Sequence, residues 1–282
     1  FAHRQTRRRK EAGVVDQFAQ KRPHRPTGET TRRVGPIGRR HANPNAGRYS
    51  RFPTQRRDGA AAERNWSGIA NEQQHPPPEL YVSLDIEADG PCPGIYSMLS
   101  FGMAAFTLEK QLVGTFSRNL ELLDGARVDE RTSAWWALPE NAEAYKKSRE
   151  EPVSPRRAMV DCKVWLEEMR RFGKPIVCGA PSGFDFTFIY YYFQRELGES
   201  PIGFASLDLR SYAAAVMKRQ YRHVGKRQYP AEWIDEGVPH THVALDDAIE
   251  QGCILINMIR HNLGLPPVPA LEDLRAGEAV RP

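Results

Sequence analysis

Three short stretches carry side chains that could do chemistry together. In the first, Asp85-Ile86-Glu87, two carboxylates stand two residues apart in a run of alternating character. On a strand, period-two geometry places both carboxylates on one face and turns Ile86 into the core. Carboxylates side by side repel each other unless a cation lies between them, and an all-oxygen ligand set suits Mg²⁺ or Mn²⁺. The second stretch is Gly179-Ala180-Pro181-Ser182-Gly183-Phe184-Asp185-Phe186, where a loop of small residues delivers one acid, Asp185, to the start of an apolar run. The third is His242-Val243-Ala244-Leu245-Asp246-Asp247-Ala248. A spacing of five does not put His242 and Asp247 on one helical face. His242 is therefore expected in the loop ahead of a helix and Asp247 in its first turns, with both reaching one site and Asp246 pointing elsewhere. Each stretch alone has an ordinary structural explanation: strand alternation, an acid favoured by a helix N-terminus, a histidine near a helix start. Their combination is more specific than any one of them.

The elements that must position these residues can be read from hydrophobic periodicity. Leu80, Val82, Leu84 and Ile86 alternate with Tyr81, Ser83, Asp85 and Glu87, which predicts a strand over Leu80 to Ile86. Ile95 to Thr107 and Gln111 to Leu120 read as two further strands, and the short connections predict an antiparallel meander. Helices are expected over Arg131 to Ala137, over Pro139 to Ser148 with Pro139 at its start, and over Ser154 to Arg171 with Ser154 as N-cap and Pro155 behind it. A short buried strand follows over Pro175 to Ala180, then an apolar helix over Phe184 to Leu197 closed near Gly198. A strand over Ile202 to Leu207 and a helix over Asp208 to Met217 come next, then an irregular stretch from Gly225 to Pro239 and a last helix from Ala244 to His261. This order predicts an α/β fold: a mixed sheet, an antiparallel three-strand meander plus parallel strands, with helices on both faces. Ligands in such sheets usually lie beyond the strand ends.

Composition divides the chain. Residues 1–78 hold 17 Lys and Arg against 6 Asp and Glu, a balance of +11, while the rest carries −6. The basic part is rich in Arg, Pro, Gly, Gln and Asn and sustains no apolar period, so it is expected to be a disordered basic tail. Because the chain begins with Phe1, it reads as a fragment or as sequence translated from upstream of a start. An ordered domain is expected over residues 79–266 and a C-terminal tail over 267–282. The 40% apolar content suffices for one sizeable core, and no run approaches the roughly 18 apolar residues of a membrane span. Without a secretory h-region and with only Cys92, Cys162, Cys178 and Cys253 at spacings that match no zinc pattern, a cytoplasmic protein with reduced, buried thiols is expected.

The order Asp85-x-Glu87, then Phe184-Asp185 after a small-residue loop, then His242-x-Ala244-Leu245-x-Asp247-Ala248 resembles the DEDDh 3′→5′ exonucleases of the ribonuclease H-like fold. The resemblance spans roughly Leu80 to His261. Thr132-Ser133-Ala134-Trp135-Trp136 is similar to the Thr-x-x-Trp-Trp element of the ribonuclease T and bacterial 3′→5′ exoribonuclease-like subgroup. The sequence departs from many members at Ala88, where they have Thr, and at Ser182, where they have Asn; neither is a ligand position. The resemblance implies metal-binding roles for Asp85, Glu87, Asp185 and Asp247, two Mg²⁺ or Mn²⁺ ions, and a general base at His242 rather than His240. It implies release of 5′-mononucleotides from the 3′ end of single-stranded nucleic acid, with RNA favoured by the Thr132–Trp136 element and DNA as the alternative. An inactive nucleic-acid-binding module of the same fold is the alternative of another class. Trp135, Trp136 and Phe184 are candidate stacking surfaces for terminal bases, and homodimerisation is expected by analogy.

Overall fold

The computed structural model describes residues 77–271. The expectations for 1–76 and 272–282 lie outside these residues. Five strands form one sheet in the order β3-β2-β1-β4-β5. β1 (Glu79–Ala88), β2 (Met98–Phe106) and β3 (Leu112–Asn119) make the antiparallel meander. β4 (Lys174–Gly179) runs parallel to β1, and the two-residue β5 (Leu207–Asp208) parallel to β4. The fold is the mixed α/β sheet that the periodicity predicts.

Alternation along β1 divides the core in two. Leu80, Val82, Leu84 and Ile86 are buried against α3 (Pro155–Met169) and α4 (Ser182–Leu197). Tyr81 points to the other face, packing with α5 (Leu209–Val216) and α6 (Ala244–Asn262). β2 is buried along its whole length, as a strand covered on both faces must be. Ser154 caps α3 by accepting from Arg157 N, with Pro155 at the first helical position, and Gly198 closes α4 at φ +75°.

α6 can lie close to the sheet because two glycines make room. A Cβ at Gly102 of β2 would overlap the backbone of Ala244 and Leu245, and one at Gly252 of α6 would overlap the ring of Phe106. At these positions the absence of a side chain sets how near the first turn of α6 comes to β1 and β2.

The structure corrects two expectations. Of the strand expected over Ile202 to Leu207 only Leu207 pairs with β4, joined by Asp208 beyond it; Pro201 and Gly203 at φ +67° turn the chain, and Phe204 is left 88% exposed. Pro139 does not start α2 (Ala142–Ser148), because Leu138 O accepts from Asn141 N and Ala142 N and closes a turn between α1 (Glu130–Trp136) and that helix. The stretch Gly225 to Pro239 is irregular but built, with short 3₁₀ turns around a buried Trp233. Packing continues past residue 266: Leu271 is buried in the core beside α6, and Pro269 O accepts from Lys110 Nζ at 3.2 Å. Of the cysteines, Cys162, Cys178 and Cys253 are buried, Cys92 is exposed, and no disulfide joins them. Among the described residues no helix is long and apolar enough to cross a membrane.

Candidate active site

The three stretches meet at the C-terminal end of β1. Asp85 and Glu87 lie on its α6-facing side, both half-buried, while Ile86 between them enters the core. α6 brings Asp247, buried in its first turn, to the same place. One carboxylate oxygen each from Asp85, Glu87 and Asp247 lie within 4.8 Å of one another. Asp185 arrives from the other direction. The chain leaves β4 at Gly179, turns through Pro181 and enters α4, whose first turn carries Asp185. Its carboxylate receives the backbone N–H of Ile86 and sits over Gly179, where a Cβ would crowd Oδ2. Asp208 fixes this entry by accepting from Ser182 N at 3.0 Å while capping α5 through Ser211 N at 2.7 Å.

The electrostatics of the group are lopsided. Burial, then the nearby Asp185 and Asp247, raise the pKa of Asp85 well above the usual carboxylate range; burial and the neighbouring carboxylates do the same to Glu87. Burial raises Asp185 to about 8 against the opposing Ile86 N–H, and its Oδ2 is buried without a hydrogen-bond partner. Hard oxygen donors that are close together, mutually repelling and incompletely hydrogen-bonded fit a divalent cation such as Mg²⁺ or Mn²⁺.

Both histidines of the loop ahead of α6 approach Asp247, at different distances. His240 makes the close contacts, with Nδ1 3.1 Å from Asp247 Oδ1 and 3.2 Å from Glu250 Oε2. Its pKa rises to about 9, held up first by Asp247 and then by Glu250. His242 Nδ1 stands 3.9 Å from Asp247 Oδ2. The residue adopts φ +60°, a left-handed conformation uncommon for a side-chain-bearing residue. Its ring meets Trp135 edge-on, with centroids 5.0 Å apart and planes at 82°. Burial and the adjacent His240 lower its pKa, which favours the neutral imidazole. Asp246 turns away to accept from Thr241 Oγ1 at 2.8 Å, as its place on the helix predicts.

The aromatic candidates separate as well. Trp136 is 4% exposed and its indole N–H donates to Ala88 O at 3.2 Å, so it ties α1 to the end of β1 and presents no face to a ligand. Trp135 and Phe184 are half-buried. Sequence reasoning missed Gln251, whose Nε2 donates to Asp85 Oδ1 at 2.7 Å, and Glu250, which bridges His240 and Lys226. Both lie three and four residues beyond Asp247, a helical spacing that could have found them.

No protein-family model matches the chain. A curated relative, the 3′–5′ DNA exonuclease Cap18 of Escherichia coli, is 34% identical over 146 residues, covering 51% of this chain and 73% of the relative. A solved full-length 3′-exonuclease superposes with a TM-score of 0.52 at 12% identity, covering 67% of this chain and 84% of that one. The nuclease domain of 3′hExo, a DEDDh family member solved with rAMP, gives a TM-score of 0.48 at 12% identity, over 69% of this chain and 98% of that one. The sheet and its helices define a ribonuclease H-like α/β domain. The chain belongs to the DEDDh family of 3′→5′ exonucleases.

Proposed function

We propose that residues 79–271 form a two-metal 3′→5′ exonuclease domain that releases 5′-mononucleotides from single-stranded nucleic acid. The carrying observation is that one carboxylate oxygen each of Asp85, Glu87 and Asp247 lie within 4.8 Å of one another, with Asp185 near enough to act on Asp85 and Glu87 electrostatically and its Oδ2 buried and unpartnered. These four carboxylates would hold the Mg²⁺ or Mn²⁺ ions. When bound, such ions lower the pKa of a coordinated water and stabilise charge developing on the phosphate.

The remaining roles fall to the chain's own residues. His242, whose pKa is lowered by burial and by His240, takes a proton from the attacking water. The water oxygen bonds to phosphorus, the bond from phosphorus to the 3′ oxygen of the preceding nucleotide breaks, that oxygen takes up a proton from solvent, and the phosphate stays on the 5′ side of the released nucleotide. Trp135 buttresses the His242 ring from one side. His240, paired with Asp247 and Glu250, orients Asp247 rather than taking the proton. Trp135 and Phe184 each keep a partly exposed ring for stacking on terminal bases.

RNA is the substrate favoured by the resemblance of Thr132–Trp136; DNA is favoured by the 34% identical relative, which is named a DNA exonuclease. Incubating 3′-labelled single-stranded RNA and DNA separately with Mg²⁺ or Mn²⁺, with and without chelator, tests both. Metal-dependent loss of label is expected, faster on the true substrate. No loss on either strand removes the exonuclease reading.

A further inference from the structure

From Leu209 to Ala231 the chain contains no Asp or Glu but six cations: Arg210, Lys218, Arg219, Arg222, Lys226 and Arg227. The run lies within the part of the chain that is otherwise net acidic. Lys218, Arg219, Arg222 and Arg227 are exposed and make no ion pair among the described residues. The segment is nevertheless fixed in place. Val224 (1% exposed) and Trp233 (1%) bury it in a small core with Ala213, Ile254 and Met258 of α5 and α6. Arg210 Nε donates to Tyr221 O at 3.2 Å, and its guanidinium lies 4.5 Å over the Tyr221 ring, which stays 46% exposed.

Both ends of the run meet the candidate active site. It begins beside Asp208, which holds the entry of α4 by accepting from Ser182 N at 3.0 Å. It ends at Lys226, paired with Glu250, the residue that also holds His240. A row of exposed guanidinium and ammonium groups with an exposed aromatic among them matches a single strand, whose phosphates attract cations and whose bases stack. We propose that residues 218–227 are the track on which the phosphate backbone of the substrate strand is held as its 3′ end enters the site. This rests on the exonuclease reading for the direction of the strand, not for its binding.

The test uses the full chain with chelator present, so that no turnover occurs. Binding of a short 5′-fluorescein oligothymidylate or oligouridylate is followed by anisotropy over a range of salt. The triple variant R219Q/R222Q/R227Q should lower the slope of log affinity against log salt by about 2, from roughly 0.7 per phosphate contact on a single strand. A control triple on α3 and the turn that follows it, R156Q/K163Q/R170Q, removes the same charge from the opposite face of the sheet and should leave the slope near wild type. An unchanged slope in the first triple, or equal loss in both, overturns the proposal. Tyr221→Ala should weaken binding at least about fivefold without changing the slope; full affinity there removes the stacking contact from the track. With Mg²⁺ restored, the first triple should hydrolyse thymidine 5′-p-nitrophenyl phosphate, which has no strand to hold, at the wild-type rate. A matching loss on that ester overturns the assignment. A wild type that cleaves neither ester nor strand fails the exonuclease reading, while the salt slope still decides this one.

Discussion

Two groups of buried charge lie at opposite ends of the same strands, and they are treated differently. At one end, Lys110 in the turn between β2 and β3 is fully buried at φ +65°. Its ammonium lies 2.7 and 2.6 Å from the two carboxylate oxygens of Asp235 and donates to Pro269 O. Asp235 also accepts from Asn257 Nδ2 and Leu271 N. Every charge there is paired inside the protein. At the other end, Asp85, Glu87 and Asp247 face one another with Asp185 nearby, His240 is the close cation, and Asp185 Oδ2 has no partner. Where buried charge joins the β2–β3 turn, the stretch before α6 and the segment after it, the chain supplies its own cation. Where carboxylates are left under-neutralised, the missing charge must come from outside, and that asymmetry marks the site.

The comparison breaks most visibly through activity. Asp185→Asn should reduce loss of 3′ label on the order of 1,000-fold, the scale of removing preorganised charge stabilisation. Its melting temperature in chelator should match or exceed wild type, because a buried, repelled carboxylate has gone. An active Asp185→Asn protein would sink the assignment of that residue. Lys110→Met should do the reverse. Leaving Asp235 buried and unpaired should cost about 3–5 kcal/mol in denaturant unfolding, with near-normal specific activity in the protein that remains folded. A Lys110→Met protein as stable as wild type would erase the distinction between the two clusters.

A smaller effect concerns metal and pH together. Asp185 is raised from its ordinary 3.8 to about 8 in the folded state, and Asp85 and Glu87 move in the same direction. The folded protein therefore holds protons that the unfolded chain has released, so metal-free stability falls as pH rises from about 4 towards 8. Mg²⁺ at a hundredfold over its dissociation constant at pH 8 should restore about 2.7 kcal/mol there, and the same concentration should restore less at lower pH, where protons compete for the carboxylates. Thermal melts with and without Mg²⁺ at pH 5 and 8 read it; an increment that shrinks with rising pH contradicts the picture. The mildest change is Gln251→Ala, which removes the hydrogen bond to Asp85. It should raise the Mg²⁺ concentration for half-maximal activity about 10-fold and leave the saturated rate close to wild type. An unshifted Mg²⁺ curve would make Gln251 a packing residue only.

Much of this was legible in the residues because it is local. The alternation of Leu80, Val82, Leu84 and Ile86 separates two faces whatever else the chain does, and Ser154-Pro155 starts a helix by satisfying its first N–H groups. Ile202 to Leu207 misled because Pro201 and Gly203 outweigh the apolar side chains between them. The Trp135-Trp136 pair looked uniform, yet adjacent residues on a helix point in different directions, so one ring enters the core while the other meets His242.

The sequence by itself determined which carboxylates share a face of β1, where α6 begins relative to Asp247, and that three motifs in this order belong to one chemistry. These follow from the periods of strand and helix and from the spacing of residue types. Only the tertiary structure decided that His240 rather than His242 grips Asp247, that Gln251 holds Asp85 across 166 residues, and that Lys110 neutralises Asp235 across 125. Such pairings depend on how closely one element approaches another. Here that distance is set by two glycines, Gly102 and Gly252, whose missing side chains let α6 settle on the sheet.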